Sequence, residues 1–491
     1  MAALSPAAAA APARRVAVLV VPASAPVFAS RDAAQGLLVP GEGATVTRRG
    51  ALASLLHGKM GNAIVRGGLP GGEPQISLSK APGDTTFYVA LPPPGEHHNV
   101  VRYPIAVAGP GYRGILTSSS TRLPGLVSIA DVAPSVRALL RGERPRIRSQ
   151  PDDEPLRRLH RLDRRLDEAH DARVPAAIVL VSLMSVLGLA ALVTRRAAFG
   201  RAAFLAAPSC IAVAVLLSAF AVTTPWVAVL SLALLAGALT LTAGSLLRPG
   251  LPLALGLAAL FAFLFSVMWA KPEWNTLAVI GPHPDGGGRF YGVTNQVETL
   301  LLGPALVLGA LVGSLALPAV ALLIAAGIAA SRVGADGGGL VVYLASFLVL
   351  ALRLLRLPAA RAAVATAVAA GAALALVGID AATGGSSHVT EAVGGGPGSL
   401  LGDLGHRLHL SGASIASTWN NAVLFALGIA GLLWLAVRRP RLPVLDALLA
   451  GLAVSLVVND TPADVAGYGG LSAVLLWIWL NRTGDRLRRL E

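Results

Sequence analysis

The sequence is poor in charge, in cysteine and in lysine. Asp, Glu, Lys and Arg make up only 13% of its 491 residues, about half the share of a soluble globular protein. Together with its apolar content, that deficit excludes a disordered chain and a charged coiled coil. The single cysteine, Cys210, lies in an apolar run, which excludes an intrachain disulfide and a cysteine-rich metal site. Lys59, Lys80 and Lys271 are the only lysines among 40 basic residues. What is present in quantity is apolar: 54% of the residues are hydrophobic and the mean hydropathy is +0.67. In a chain this long, that points to a polytopic membrane protein. The formal net charge of +14 rests almost wholly on arginine. Many of these arginines sit in short connections between apolar runs, the positive-inside pattern, so the charge implies no nucleic-acid partner. Heavy use of Ala, Gly and Arg suggests a GC-rich bacterial gene.

Composition changes near residue 174. Residues 1–142 read as an α/β domain, with short strands at 16–21, 85–92, 102–109 and 125–132 between Gly/Pro turns. A helix is expected after Asp131, ending at Gly142. Residues 143–155 read as an Arg-, Pro- and Asp-rich linker, and 156–173 as an amphipathic helix with Leu156, Leu159, Leu162, Leu166 and Ala169 on one face. That helix is expected to be solvated or interfacial, leading into the first membrane span. Residues 174–482 then read as an α-helical polytopic membrane bundle of about eleven transmembrane helices. The candidate spans are 174–194, 202–222, 225–246, 251–270, 297–315, 316–330, 338–352, 362–379, 421–437, 442–458 and 465–480. Gly309 and Gly313 form a GxxxG pair suited to close helix packing. A basic tail, 483–491, closes the chain.

Orientation follows from the arginines. Arg195, Arg196 and Arg201, then Arg248, then Arg353, Arg356 and Arg361, then Arg438, Arg439 and Arg441, and finally Arg482 to Arg489 all fall on one side if spans alternate. The positive-inside rule makes that side the cytoplasm of a bacterial plasma membrane, with the carboxyl terminus inside and the N-terminal domain outside. The stretch after Arg14-Arg15 has the look of a short signal h-region interrupted by Pro22 and Pro26, and reads equally as a buried first strand. All seven tryptophans lie near expected span ends, as an aromatic belt requires.

The polar connections of the membrane half gather on the opposite, outer side: the segment from Lys271 to Thr299, the SRVGADGGG turn, the connection 380–420, and NDTPAD. Ionisable residues at membrane depth are costly and suggest a functional site. Arg289 offers a planar fork of donors for phosphate or carboxylate, with Tyr291 and Asn295 as neutral partners. Glu298, Asp336, Asp380 and Asp460 are candidate acid/base groups. His388 and Asn459 are further candidate binding residues. Asn295 with Glu298 also fits a capping box, and Asp446 a pairing with a nearby arginine. His406 and His409 lack a clear third ligand, so no metal site is assigned, and no cofactor follows from the residues.

Four segments, GGRFYGVTNQVE (287–298), GADGGG (334–339), SHVT (387–390) and NDTPADV (459–465), resemble those of a family of bacterial polytopic membrane proteins. In that family a G-R-F-Y-G-x-x-N motif, a glycine-rich turn and a late N-D-[ST] motif recur between spans. The resemblance covers most of 174–491 and implies an extracytoplasmic N-terminal domain similar to the alkaline-phosphatase superfamily, whose closing strand and helix LPGLVSIADVAPSVRALL (123–140) resembles. That superfamily holds two metals on Asp and His around a Ser or Thr nucleophile. Here the first strand lacks the acidic ligand at its end, and His57, His97 and His98 stand outside any D-x-H pattern. The resemblance therefore implies a degenerate domain that binds or docks. The expected function is an extracytoplasmic polar site that handles a phosphate-bearing or lipid-linked cell-envelope precursor; the alternatives are a multi-pass transporter or flippase and a non-catalytic envelope-assembly scaffold. The expected partners are the lipid bilayer and an anionic or lipid-linked substrate.

Overall fold

The computed structural model describes residues 15–60, 69–70, 72–382, 411–412, 415–416, 419–439, 441–459 and 461–483. It divides into two compact units: Met1–Arg164 with Pro284–Gly288, and Arg165–His283 with Arg289–Glu491.

The first unit is built on a mixed sheet. Its strands are β1 (Val16–Val20), β2 (Ala33–Val39), β3 (Thr45–Thr47), β4 (Thr85–Val89), β5 (Glu96–His98), β6 (Tyr103–Ala108), β7 (Ile115–Ser118), β8 (Leu126–Ser128) and β9 (Ile147–Gln150). The main sheet runs β1-β4-β6-β2-β7-β9, with β8 also paired to β2, and β3 and β5 form a separate ribbon. β1 lies parallel to β4, with Val18 opposite Phe87, and β2 lies antiparallel to β6, with Gly36 opposite Ile105. Helices α1 (Arg48–His57) and α2 (Val132–Leu140) add their apolar faces to the core. Thr47 caps α1 by accepting from the Gly50 amide, and Gly58 ends it at φ +65°, a left-handed turn that glycine adopts without strain. Leu38, Phe87, Ile105 and Leu116 are fully buried, each contributing about 1.5–3 kcal/mol of transfer free energy.

Three features depart from the sequence reading. The expected linker 143–155 contains β9, an edge strand antiparallel to β7. The compact unit extends to Arg164 rather than 142, because Leu159 and Leu162 pack against Gly125, so that this part of the expected solvated helix is buried. Pro284–Gly288 also belongs to this unit: the Gly43 amide donates to the Gly286 carbonyl at 3.0 Å, and the buried Asn99 carboxamide donates to Gly41, Gly43 and Gly286. The signal-like stretch Val16–Val20 is strand β1.

The second unit is helical. Its elements are α3 (Pro155–Thr194, which begins in the first unit), α4 (Ala197–Ala219), α5 (Pro225–Leu246), α6 (Leu251–Ala270), α7 (Pro272–Thr276), α8 (Asn295–Leu311), α9 (Gly313–Ala329), α10 (Gly337–Leu355), α11 (Ala359–Ala382), α12 (Trp419–Val437), α13 (Pro443–Val458) and α14 (Pro462–Arg482). Among the described residues seven helices are long and apolar enough to cross a membrane: α3, α4, α5, α6, α10, α12 and α14. Four further apolar helices are shorter. Their outward faces are apolar: Ile178, Val186, Leu189 and Val193 on α3, Leu234 on α5 and Leu315 on α9, the last 97% exposed. Such surface is stable in hydrocarbon and costly in water.

The tryptophans divide rather than forming one belt. Trp226, Trp269 and Trp419 face outward, whereas Trp479 is fully buried against Phe204 and Trp477 packs on Trp434. The GxxxG pair divides too. Gly309 gives way to Phe347 and Leu317, but Gly313 sits at φ +78° at the break between α8 and α9 with open space beside it. Arg353 and Arg441 reach Asp446 at 3.0 and 3.3 Å, joining two of the arginine-bearing connections. The tail 484–491 lies outside the described residues.

Candidate functional site

At the other end of α10 from Arg353, polar side chains from three connections meet. α10 has 19 residues, so the two ends lie about 28 Å apart at 1.5 Å per residue, close to the hydrocarbon thickness of a bilayer, about 30 Å.

The G-R-F-Y-G motif enters first. α7 holds its backbone: the Asn275 carboxamide donates to the Gly292 carbonyl at 2.8 Å and the Thr276 hydroxyl to the Phe290 carbonyl at 2.9 Å. Gly292 has φ +85°, and a Cβ there would run into the Gly334 carbonyl. The next amide, that of Val293, donates to the same carbonyl at 2.8 Å. Glycine is thus required where this segment crosses the GADGGG turn. Tyr291 is half-buried beside it.

Two helices start here with carboxylates in favourable positions. Asp336 is the N-cap of α10, accepting from the Gly339 amide at 3.1 Å. Glu298 lies in the first turn of α8, whose cap is Thr294 accepting from Val297, not Asn295 as a capping box would require. Asn295 instead donates to the Thr461 hydroxyl at 3.0 Å, just before α14. Negative charge at helix N-termini is favoured by the helix dipole. Both carboxylates are buried, at 0% and 3% exposure for Glu298 and Asp336.

Arg289 and Asn459 complete the cluster. Arg289 donates to the Val293 carbonyl, and its Nη2 lies 3.7 Å from Asp336 Oδ1. Asn459 ends α13 and donates to Glu298 Oε2 at 2.8 Å and to Ser455 at 2.7 Å. The Tyr343 hydroxyl donates to the Glu298 backbone carbonyl at 3.0 Å, and Ser411, from the 380–420 connection, donates to that of Asn459 at 3.2 Å. Glu298 lies within electrostatic reach of both Asp336 and Arg289. One oxygen of each carboxylate, Glu298 Oε1 and Asp336 Oδ2, has no hydrogen-bond partner among the described residues.

The structure therefore joins five of the nine sequence candidates, Arg289, Asn295, Glu298, Asp336 and Asn459, with Tyr291 alongside. His388 and Asp460, the side chain of Asp380, and His406 and His409 lie outside the described residues. Sequence reasoning missed Tyr343, Ser455, Thr461, Asn275 and Thr276. The available signal was weak: Ser455 is one turn before Asn459, and Tyr343 is a polar tip in an apolar span. Among the described residues no three His, Cys, Asp or Glu side chains gather as a metal site. His57 and His97 are each turned to backbone carbonyls.

A second polar cluster lies in the α/β unit. The buried Asp131 carboxylate accepts from Ser118 and Ser120, with Arg146 at 3.6 Å. Burial raises its pKa above the usual Asp range, against the lowering effects of the two hydroxyls and Arg146. Ser118, Ser120 and Arg146 all belong to this unit, so Asp131 ties the turn after β7 to the start of α2.

No family model, no curated protein and no solved structure matches this chain.

Proposed function

We propose that this chain is a multi-pass membrane transporter or flippase of the bacterial plasma membrane, with the Arg289–Asp336–Glu298–Asn459 cluster as its working centre. The carrying observation is the pair of buried carboxylates, each with an unpartnered oxygen, at a junction of helix ends. Buried ionisable side chains facing the interior of a bundle of apolar spans mark substrate or ion pathways. In this reading the seven long and four shorter apolar helices are eleven spans, the α/β domain and the cluster face the cell exterior, and the carboxyl terminus is cytoplasmic.

A second reading, the handling of a phosphate-bearing or lipid-linked envelope precursor, is favoured by one feature. The Arg289 side chain keeps 30% exposure, so part of its fork can meet an anion. It ranks second because that fork already faces Asp336 and Val293. A fluorescent lipid-linked sugar phosphate in reconstituted vesicles separates the two. Movement of the intact lipid across the bilayer, lost in Glu298→Gln, supports transport. Chemical change of the lipid without movement supports the second reading. A docking role for the N-terminal α/β unit belongs to the scaffold alternative, which is supported if the full-length chain carrying both Glu298→Gln and Asp336→Asn still restores a deletion strain.

A further inference from the structure

Among the described residues, the cluster contains two carboxylates and one guanidinium. Its other members, Asn459, Ser455, Asn295, Thr461 and Tyr343, are neutral donors and acceptors. With both acids ionised it carries one negative charge that nothing inside it balances. An unbalanced charge buried among apolar helices is costly.

Among the described residues, the elements packed on α8 and α10 do not supply the missing cation. On α14 the nearest titratable groups are Asp464 and Tyr468, neither of them positive, and Tyr468 is engaged with Gln296. On α4, Arg201 donates to the Gly244 carbonyl at 2.9 Å, and Cys210 is an apolar-packed thiol. On α13, Asp446 is occupied by Arg353 and Arg441 at the far end. α6 and α9 contain no titratable residue. On α11, Arg361 lies at the N-terminal end, which follows the far end of α10. Arg332, in the turn before Asp336, is exposed.

We propose that Glu298 and Asp336 hold one exchangeable proton between them, making this junction a proton-binding site. Two unpartnered, buried carboxylate oxygens, Glu298 Oε1 and Asp336 Oδ2, are available to carry it. A bound Ca2+ or Mg2+ calls for about six oxygens or more, far beyond those two. The step is proton transfer alone: a hydronium ion gives its proton to a carboxylate oxygen and departs as water, forming one O–H bond and breaking another. The cluster then becomes neutral overall, with Arg289 facing one ionised acid. The inference deepens the transport reading and rests on its placing these helices in a bilayer, where a site that alternates between neutral and charged forms can link proton binding to helix movement.

The test is infrared spectroscopy on the full-length protein in lipid nanodiscs, near pH ~7, where exposed carboxyls are ionised. The wild type is expected to show the carbonyl stretch of one protonated carboxylic acid. Glu298→Gln and Asp336→Asn each leave one acid facing Arg289, so each is expected to abolish that band. Absence of the band in the wild type, or its persistence in either variant, overturns the proposal. If a variant fails to reconstitute, carbon-13 labelling of the Glu or the Asp carboxyls in wild-type protein carries the test. A band that moves with neither label overturns the proposal. Loss of the band in both variants without any lipid movement keeps the proton site and removes the transport reading. Lipid movement with a band indifferent to both variants does the reverse.

Discussion

Arg289→Met removes the only positive charge of the cluster among the described residues. At 3.7 Å from Asp336 Oδ1, the guanidinium gains about 4.5 kcal/mol of attraction at an effective dielectric near 20. Its 30% exposure admits solvent and lowers that to about 2 kcal/mol. Asp336→Asn alone removes the partner charge but keeps an oxygen to accept from the Gly339 amide. With every variant made in a Glu298→Gln background, where Asp336 is the one acid facing Arg289, the double variant removes both charges together. A double-mutant cycle is therefore expected to show a coupling of about 2 kcal/mol, the double variant being more stable than the two single losses sum to. In thermal unfolding in detergent micelles, followed by helical circular dichroism, that is a recovery of about 3 °C. Additivity within about 0.5 kcal/mol refutes the pairing and the charge balance built on it.

Asn459→Ala takes a donor from the Glu298 carboxylate and is expected to cost about 1–2 kcal/mol, while Asn459→Asp, which adds a third acid, is expected to cost more. Micellar thermal midpoints check the order. Gly338→Ala places a Cβ 2.8 Å from Asn459 Oδ1, whereas Gly237→Ala meets nothing within 4 Å. The first is expected to lower the midpoint and the second to leave it level or raise it by up to about 1 kcal/mol of stability. In the α/β unit, burial raises the Asp131 pKa, so the folded form holds its proton more tightly than the unfolded chain. Stability is then expected to fall as pH rises from the unfolded Asp value, about 3.9, through the raised value, and to level off above it. Asp131→Asn flattens that slope, as read from protease resistance of this unit across a pH series in urea.

The membrane half was largely legible because long apolar runs punctuated by Arg, Gly and Pro define helices locally. Helices α5 (Pro225–Leu246) and α6 (Leu251–Ala270) occupy the residues their runs mark out. The sheet was less so. β2, which pairs with β6, β7 and β8, reads AAQGLLV, with Gln35 and Gly36 where β-branched residues would signal a strand. Gln35 is tolerated because its carboxamide donates to the Val27, Ser30 and Ala33 carbonyls, and Gly36 because Leu116 and Ile105 close over it. The first reason depends on how the turn before β2 folds, and the second on strands far along the chain. β9 was hidden by arginines that an edge strand carries at no cost. At the candidate site, the residue types stood out against an apolar background, but their partnership did not. Glu298 and Asn459 are 161 positions apart, and only the packing of α8 on α13 brings them together. The capping assignment was off by one residue because Thr294 and Asn295 are both good caps and the adjacent turn decides between them.

The most direct test of the account is which face of the membrane each end of the bundle occupies. In a Cys210→Ala background, Arg332→Cys marks the glycine-rich turn before Asp336, and Arg439→Cys marks the arginine-bearing connection between α12 and α13; both positions are exposed. Treated as intact cells with a thiol reagent that cannot cross membranes, Arg332→Cys is expected to react at once and Arg439→Cys only after permeabilisation. Reaction of both from the same side, or of Arg439→Cys alone, contradicts the account.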